Sequence, residues 1–134
     1  MAISDRRKLI LIVEDDADLV RLVTHWLERG GYRVRSVASG HAALEALAGG
    51  PLPDLVLLDV MIPHITGLDI LRRVRAEART RTLPVVMMTS LTREKDVKRG
   101  RLLGANDYIV KPLMEQDFLG RVARALGEPR TAGK

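Results

Sequence analysis

The chain has 134 residues, 46% of them hydrophobic, which is enough for one domain with a single core and too apolar for a disordered segment. It has no cysteine, which excludes a disulfide framework, a thiolate metal site and a cysteine nucleophile. Lys and Arg number 22 against 17 Asp and Glu, a formal charge of +5 that could suggest nucleic acid. However, the excess lies on expected helix surfaces and chain ends, and the aromatics Trp26, Tyr32, Tyr108 and Phe118 are too few for a base-stacking platform. Direct nucleic-acid binding by this domain is therefore not expected, and a positive field acting on an acidic protein partner suits the composition at least as well. No apolar run reaches the roughly 18–20 residues of a membrane span, and the amino end lacks a signal peptide's apolar block, so no membrane and a cytoplasmic setting are expected.

The first expected strand is Lys8 to Val13, in which Leu9 to Val13 is a five-residue apolar run, followed by Glu14-Asp15-Asp16. Leu19, Leu22, Val23, Trp26 and Leu27 then recur at helical spacing, with Asp16 as N-cap and Gly30-Gly31 as the stop. Tyr32 to Val37 reads as a short second strand at a sheet edge, because Arg33 and Arg35 alternate with less polar residues. Ser39 can cap the next helix, whose inner stripe is Ala43, Leu44 and Leu47, before Gly49-Gly50-Pro51.

The third strand ends in Leu55-Val56-Leu57-Leu58-Asp59. Its apolar run shows no polar alternation, which is how a strand covered on both faces reads, and it stops at a carboxylate. Leu68, Leu71 and Val74 mark a third helix with a basic outer face. Val85 to Met88 is a fourth strand ending in Thr89-Ser90. The fourth helix, from about Thr92 or Arg93 to Leu103, has only Val97, Leu102 and Leu103 as apolar body residues and contains Gly100, so it is expected to be the least firmly held. Asp107 to Val110 is a fifth strand, ended by Lys111-Pro112, and the last helix uses Phe118, Val122, Ala125 and Leu126. Strands alternating with helices predict an α/β domain, a parallel sheet covered on both faces, over residues 1–127, with 128–134 as a tail or the start of a linker.

In an open α/β sheet, reactive groups gather at the carboxyl ends of the strands. That rim receives Glu14-Asp15, Asp59, Thr89 and Lys111. Any one of them could be an ordinary solvated strand end, but acids, a hydroxyl and a lysine together are harder to dismiss. Carboxylates without thiolate or imidazole suit a hard cation, Mg²⁺ or in its place Mn²⁺. Such a site can use a carboxylate as nucleophile toward phosphorus, with Lys111 and Thr89 meeting the phosphoryl oxygens. Nothing at the rim looks like a base for water, and His64 beyond Pro63 reads as a solvated loop residue. A phosphohydrolase would want a second acid just after Asp59, where the chain has Val60 and Met61.

These segments resemble the receiver domain of two-component response regulators. The resemblance is carried by Val13-Glu14-Asp15-Asp16, Leu57-Leu58-Asp59-Val60-Met61-Ile62-Pro63, Thr66-Gly67, Met88-Thr89-Ser90 and the run from Gly104 to Pro112, and it covers roughly residues 8–126. It implies a flavodoxin-like sheet in the order 2-1-3-4-5 and phosphorylation of Asp59 by a sensor histidine kinase or phosphotransfer protein. The receiver would catalyse its own phosphorylation and slow dephosphorylation, without turnover of a free substrate. Glu14, Asp15, Asp59 and the Met61 backbone carbonyl would bind the metal, and Lys111 and Thr89 would contact the phosphoryl group. Movement of Thr89 would let Tyr108 turn inward and reshape the surface of the fourth helix, fifth strand and fifth helix toward a downstream protein or output domain. Met61 and Leu91 stand where the family modulates dephosphorylation; both are apolar, so a long-lived aspartyl-phosphate is expected. Asn106 stands where DNA-binding members often have an acid, which weakens one salt link of their dimer face. Asp107, Asp117 and Arg121 can form others, so homodimerisation through that face stays open. Beside the phosphohydrolase, a second rival is a pseudo-receiver that only docks partners.

Overall fold

The computed structural model describes residues 6–90 and 94–129, residues 94–96 by their backbone alone. Along the chain run β1 (Leu9–Val13), α1 (Ala17–Arg29), β2 (Arg33–Val37), α2 (Gly40–Ala48), β3 (Leu55–Asp59), α3 (Gly67–Ala76), β4 (Val85–Thr89), α4 (Glu94–Leu102), β5 (Asp107–Val110) and α5 (Glu115–Ala125). All strand pairings are parallel, in the order β2-β1-β3-β4-β5, as expected.

The unbroken apolar runs explain this arrangement. Every residue of β1, β3 and β4 is buried, whereas β2 at the edge is only partly covered. Alternate strand residues serve two separate cores. Leu11, Val13, Val56, Leu58, Val85 and Met87 pack with α2 and α3 residues such as Ala43, Leu47, Ile70 and Leu71. Ile10, Ile12, Leu55, Leu57, Val86 and Met88 pack with Val23 and Leu27 of α1 and Phe118 and Val122 of α5. Trp26 and Phe118 meet across α1 and α5, their ring centroids 5.7 Å apart.

The local signals hold where a side chain bonds to the backbone. Asp16 accepts from the Asp18 and Leu19 N–H groups, Ser39 from Ala42, and Thr66 from Asp69. Two apolar residues lie elsewhere than their spacing suggested. Leu22 is 44% exposed, because the inner stripe of α1 centres on Leu19, Val23, Trp26 and Leu27 and leaves it at the margin. Leu102 is 89% exposed, so α4 holds to the body through Val97 and Leu103. The expected start of that helix at Thr92 or Arg93 lies outside the described residues. Glu128, the first residue of the expected tail, is held to the body. Its Oε1 accepts from the Tyr32 hydroxyl at 2.8 Å, and its N–H donates to Ala123 O.

Candidate active site at the carboxyl edge of the sheet

Backbone pairing carries the rim residues to one place. β1 ends at Val13, and the Glu14 N–H still donates to Val37 O at 3.1 Å, which fixes the first acid at the sheet end. Asp59 is the last residue of β3 and is paired with Met88 of β4, one residue before Thr89. Lys111 follows β5, and its N–H donates to Thr89 O at 2.8 Å. β1, β3 and β4 are adjacent in the sheet, so the acids and the threonine arise from its centre.

The Lys111 ammonium lies 2.8 Å from Asp59 Oδ2 and 2.9 Å from Glu14 Oε1, donating to both. The other Asp59 oxygen, Oδ1, accepts from the Met61 N–H at 2.9 Å, and Glu14 Oε2 accepts from the Asp16 N–H at 3.2 Å. Glu14, Asp59 and Thr89 are buried, while Asp15 is exposed, so the site opens to solvent on the Asp15 side. Burial pushes the Glu14 carboxyl up to about 7; its hydrogen bond with Asp59 acts in the same direction, and Lys111 opposes both. Burial also works against the Lys111 ammonium, but Asp59 and Glu14 outweigh it and raise its pKa above the ordinary lysine value.

Carboxylate oxygens of Glu14, Asp15 and Asp59 lie within 4.8 Å of one another. An all-oxygen set on two buried acids and one exposed acid fits a hard divalent cation that keeps part of its water shell. The fit follows from the donors themselves: Lys111 bonds to two of the three carboxylates, Glu14 and Asp59, which leaves charge for a cation to balance.

Two further residues have roles that the sequence did not disclose, Gly67 at the site and Arg75 at the opposite, amino-terminal edge of the sheet. Gly67 opens α3, and a Cβ there would collide with the carbonyl of Asp59; its N–H donates to Val60 O at 2.9 Å. The glycine therefore permits α3 to begin against the end of β3. Arg75 gives all its N–H groups to α3–β4 and α4–β5 connections: Gly104 O twice, Leu83 O, Arg81 O and Asn106 Oδ1. Asn106 also accepts from the Val85 N–H at 2.8 Å, so its side chain is committed to the start of β4. Only a glycine after an N-cap and one arginine among several marked these roles in the sequence.

Other expected residues fall as follows. Tyr108 is buried, with its ring against Gly100 of α4. Met61 is 60% exposed, and His64 is an exposed loop residue with φ of 72°. Arg121 pairs within the chain with Asp107 at 2.9 Å and Asp117 at 3.1 Å. Leu91 lies outside the described residues. Among the described residues no helix is long and apolar enough to cross a membrane.

A family model described as the response regulator receiver domain matches residues 10–123. The phosphate regulon transcriptional regulatory protein PhoB of Klebsiella pneumoniae is 39% identical over 113 residues, covering 84% of this chain and 49% of that protein. The chain thus spans about half the length of the curated relatives it matches. Among solved structures, the signal receiver domain of a signal transduction histidine kinase from Syntrophus aciditrophicus is similar at a TM-score of 0.82 and 34% identity, covering 95% of this chain and 96% of that one. A receiver domain of a sensor histidine kinase from Pseudomonas aeruginosa PAO1, with a magnesium ion coordinated in its active site cleft, matches at 0.82 and 28% identity, covering 91% and 99%.

Proposed function

The chain belongs to the response regulator receiver domain family, and from that premise we propose that Asp59 accepts a phosphoryl group from the phosphohistidine of a sensor kinase or phosphotransfer protein. An Asp59 oxygen attacks phosphorus, the P–N bond breaks, and the imidazole nitrogen keeps the electron pair and takes a proton from solvent. Lys111 holds Asp59 in place before transfer and neutralises phosphoryl charge during it, and Thr89 donates its hydroxyl to a phosphoryl oxygen. Glu14, Asp15, Asp59 and the Met61 carbonyl are the residues that would hold Mg²⁺. When bound, that ion supplies charge neutralisation on the transferring group.

The observation that carries this reading is the Lys111 ammonium bridging Asp59 and Glu14, with Asp15 close enough to complete a cation site. The signal then passes through Thr89 and Tyr108 to the surface of α4, β5 and α5, and from there to a partner protein or an output domain in the cytoplasm. Met61 is exposed and apolar, so it cannot activate water, which supports a phosphoryl lifetime of minutes or more. Leu91, the second residue after Thr89, is apolar as well and acts in the same direction.

Incubation with acetyl phosphate and Mg²⁺, followed by intact mass, tests the reading. One added phosphoryl group that is lost with EDTA and with Asp59→Asn is the expected result. No gain under any donor condition would leave a docking module as the function.

A further inference from the structure

Gly100 is buried in the last turn of α4, still within the helix, where glycine is disfavoured relative to alanine. No turn requires it, since the left-handed residue that ends this segment is Gly104, with φ of 98°. The close approach of one side chain accounts for it. A Cβ built on Gly100 would overlap the hydroxyl and ring of Tyr108. Tyr108 is only 8% exposed and joins the core cluster to which Val97 and Leu103 of the α4 region also pack.

We propose that Gly100 is a positioning residue for Tyr108: the missing side chain is the seat that lets the ring lie buried under α4. A methyl group at this position expels the ring toward solvent or lifts the helix. The proposal rests on the reading of Tyr108 as the element that carries the signal. It assigns the setting of that element to a residue that touches neither the metal ligands nor the phosphoryl site. β5 joins the two ends of this coupling, because Tyr108 lies on the strand that delivers Lys111, and its register partner Met87 lies on the strand that ends in Thr89.

An incidental glycine and a seat predict opposite signs. If Gly100 is incidental, Gly100→Ala stabilises the protein through helix propensity whatever occupies position 108. If it is a seat, Gly100→Ala fails to stabilise, or destabilises, the protein that has Tyr108, and raises the urea midpoint in a Tyr108→Ala background. Failure of Gly100→Ala to fold, with folding restored in the double variant, supports the seat. A rise of equal size in both backgrounds overturns it.

A spectroscopic readout separates positioning from stability. In Tyr32→Phe protein labelled with 3-fluorotyrosine, a single fluorine resonance reports Tyr108. Expected is a protected signal that becomes accessible to a soluble paramagnetic agent in Gly100→Ala and no longer responds to beryllofluoride with Mg²⁺. A signal that stays protected and responsive in Gly100→Ala overturns the proposal. Phosphoryl uptake from acetyl phosphate should stay within about two-fold in the same variant. Absence of uptake by the unsubstituted protein overturns the phosphoacceptor reading instead, and the seat is still decided by the urea midpoints.

Discussion

Glu14 shows how a residue's neighbours set its chemistry. Its ordinary pKa of 4.5 rises to about 7 because its carboxyl is buried and lies beside Asp59. A raised pKa means that the folded state binds the proton more tightly than the unfolded chain. The stabilising contribution is therefore complete below pH 4.5 and is lost as pH rises through 7. The shift corresponds to on the order of 3 kcal/mol across that window. In EDTA the urea midpoint should fall between pH 5 and pH 8, and Glu14→Gln should flatten most of that fall; an unchanged slope in the variant would assign the effect elsewhere. Lys111→Met should cost about 2–3 kcal/mol at pH 8, because it leaves two buried carboxylates without their cation. The cost should shrink at pH 5, where Glu14 takes up a proton. Denaturation of the two variants at both pH values checks this, and equal losses at the two pH values would contradict it. The acids were legible in the sequence because each ends an apolar run. The sequence could not show that Asp15 stays exposed while Glu14 is enclosed, since burial depends on how the β1–α1 and β3–α3 connections close over the rim.

The elements differ in how they are held, and α4 and its neighbours show this most clearly. Their joint is Arg75, which reaches from α3 to Gly104 O, Leu83 O and Asn106 Oδ1. Burial lowers its pKa, an effect that hydrogen bonds to neutral carbonyls do not reverse. Arg75→Met strips a charged donor from several partly buried acceptors and should destabilise by about 2–3 kcal/mol, as read by urea unfolding. Hydrogen exchange should localise the damage, with the Val85 and Asn106 amides losing protection before those of β1; uniform loss over the sheet would place the effect elsewhere. Sequence periodicity found all of these elements and their order, because unbroken apolar runs and capped helices are local signals. It did not find the joint, since an arginine on a basic helix face reads as solvated until the α4–β5 turn is laid across it. Leu102 failed for a related reason: in a helix with few apolar residues, spacing alone does not say which face is inward.

At the scale of the molecule, a parallel order with β1 and β3 side by side puts their acids together without any long-range design in either segment. That adjacency made the site readable from the chain: once the strands are parallel, every strand-end residue shares an edge, and only the register remains to be supplied. It also ties the site to global stability. β1 and β3 contribute to both cores, so a ligand that joins Glu14 and Asp15 to Asp59 stabilises the elements on which both layers pack. Unfolding scatters the three carboxylates and destroys the site, so the ion should bind the folded state alone. Stabilisation should then follow RT ln(1 + [Mg²⁺]/Kd), about 2.7 kcal/mol at a hundred times Kd. Titrating Mg²⁺ at pH 8 should move the whole unfolding transition upward with no intermediate plateau. Asp15→Asn should displace that titration to higher Mg²⁺, because one ligand charge is gone while both buried acids remain. A midpoint insensitive to Mg²⁺ up to about a thousand times the Kd found by direct binding, or a shift that survives Asp15→Asn unchanged, would show the ion bound somewhere other than this edge.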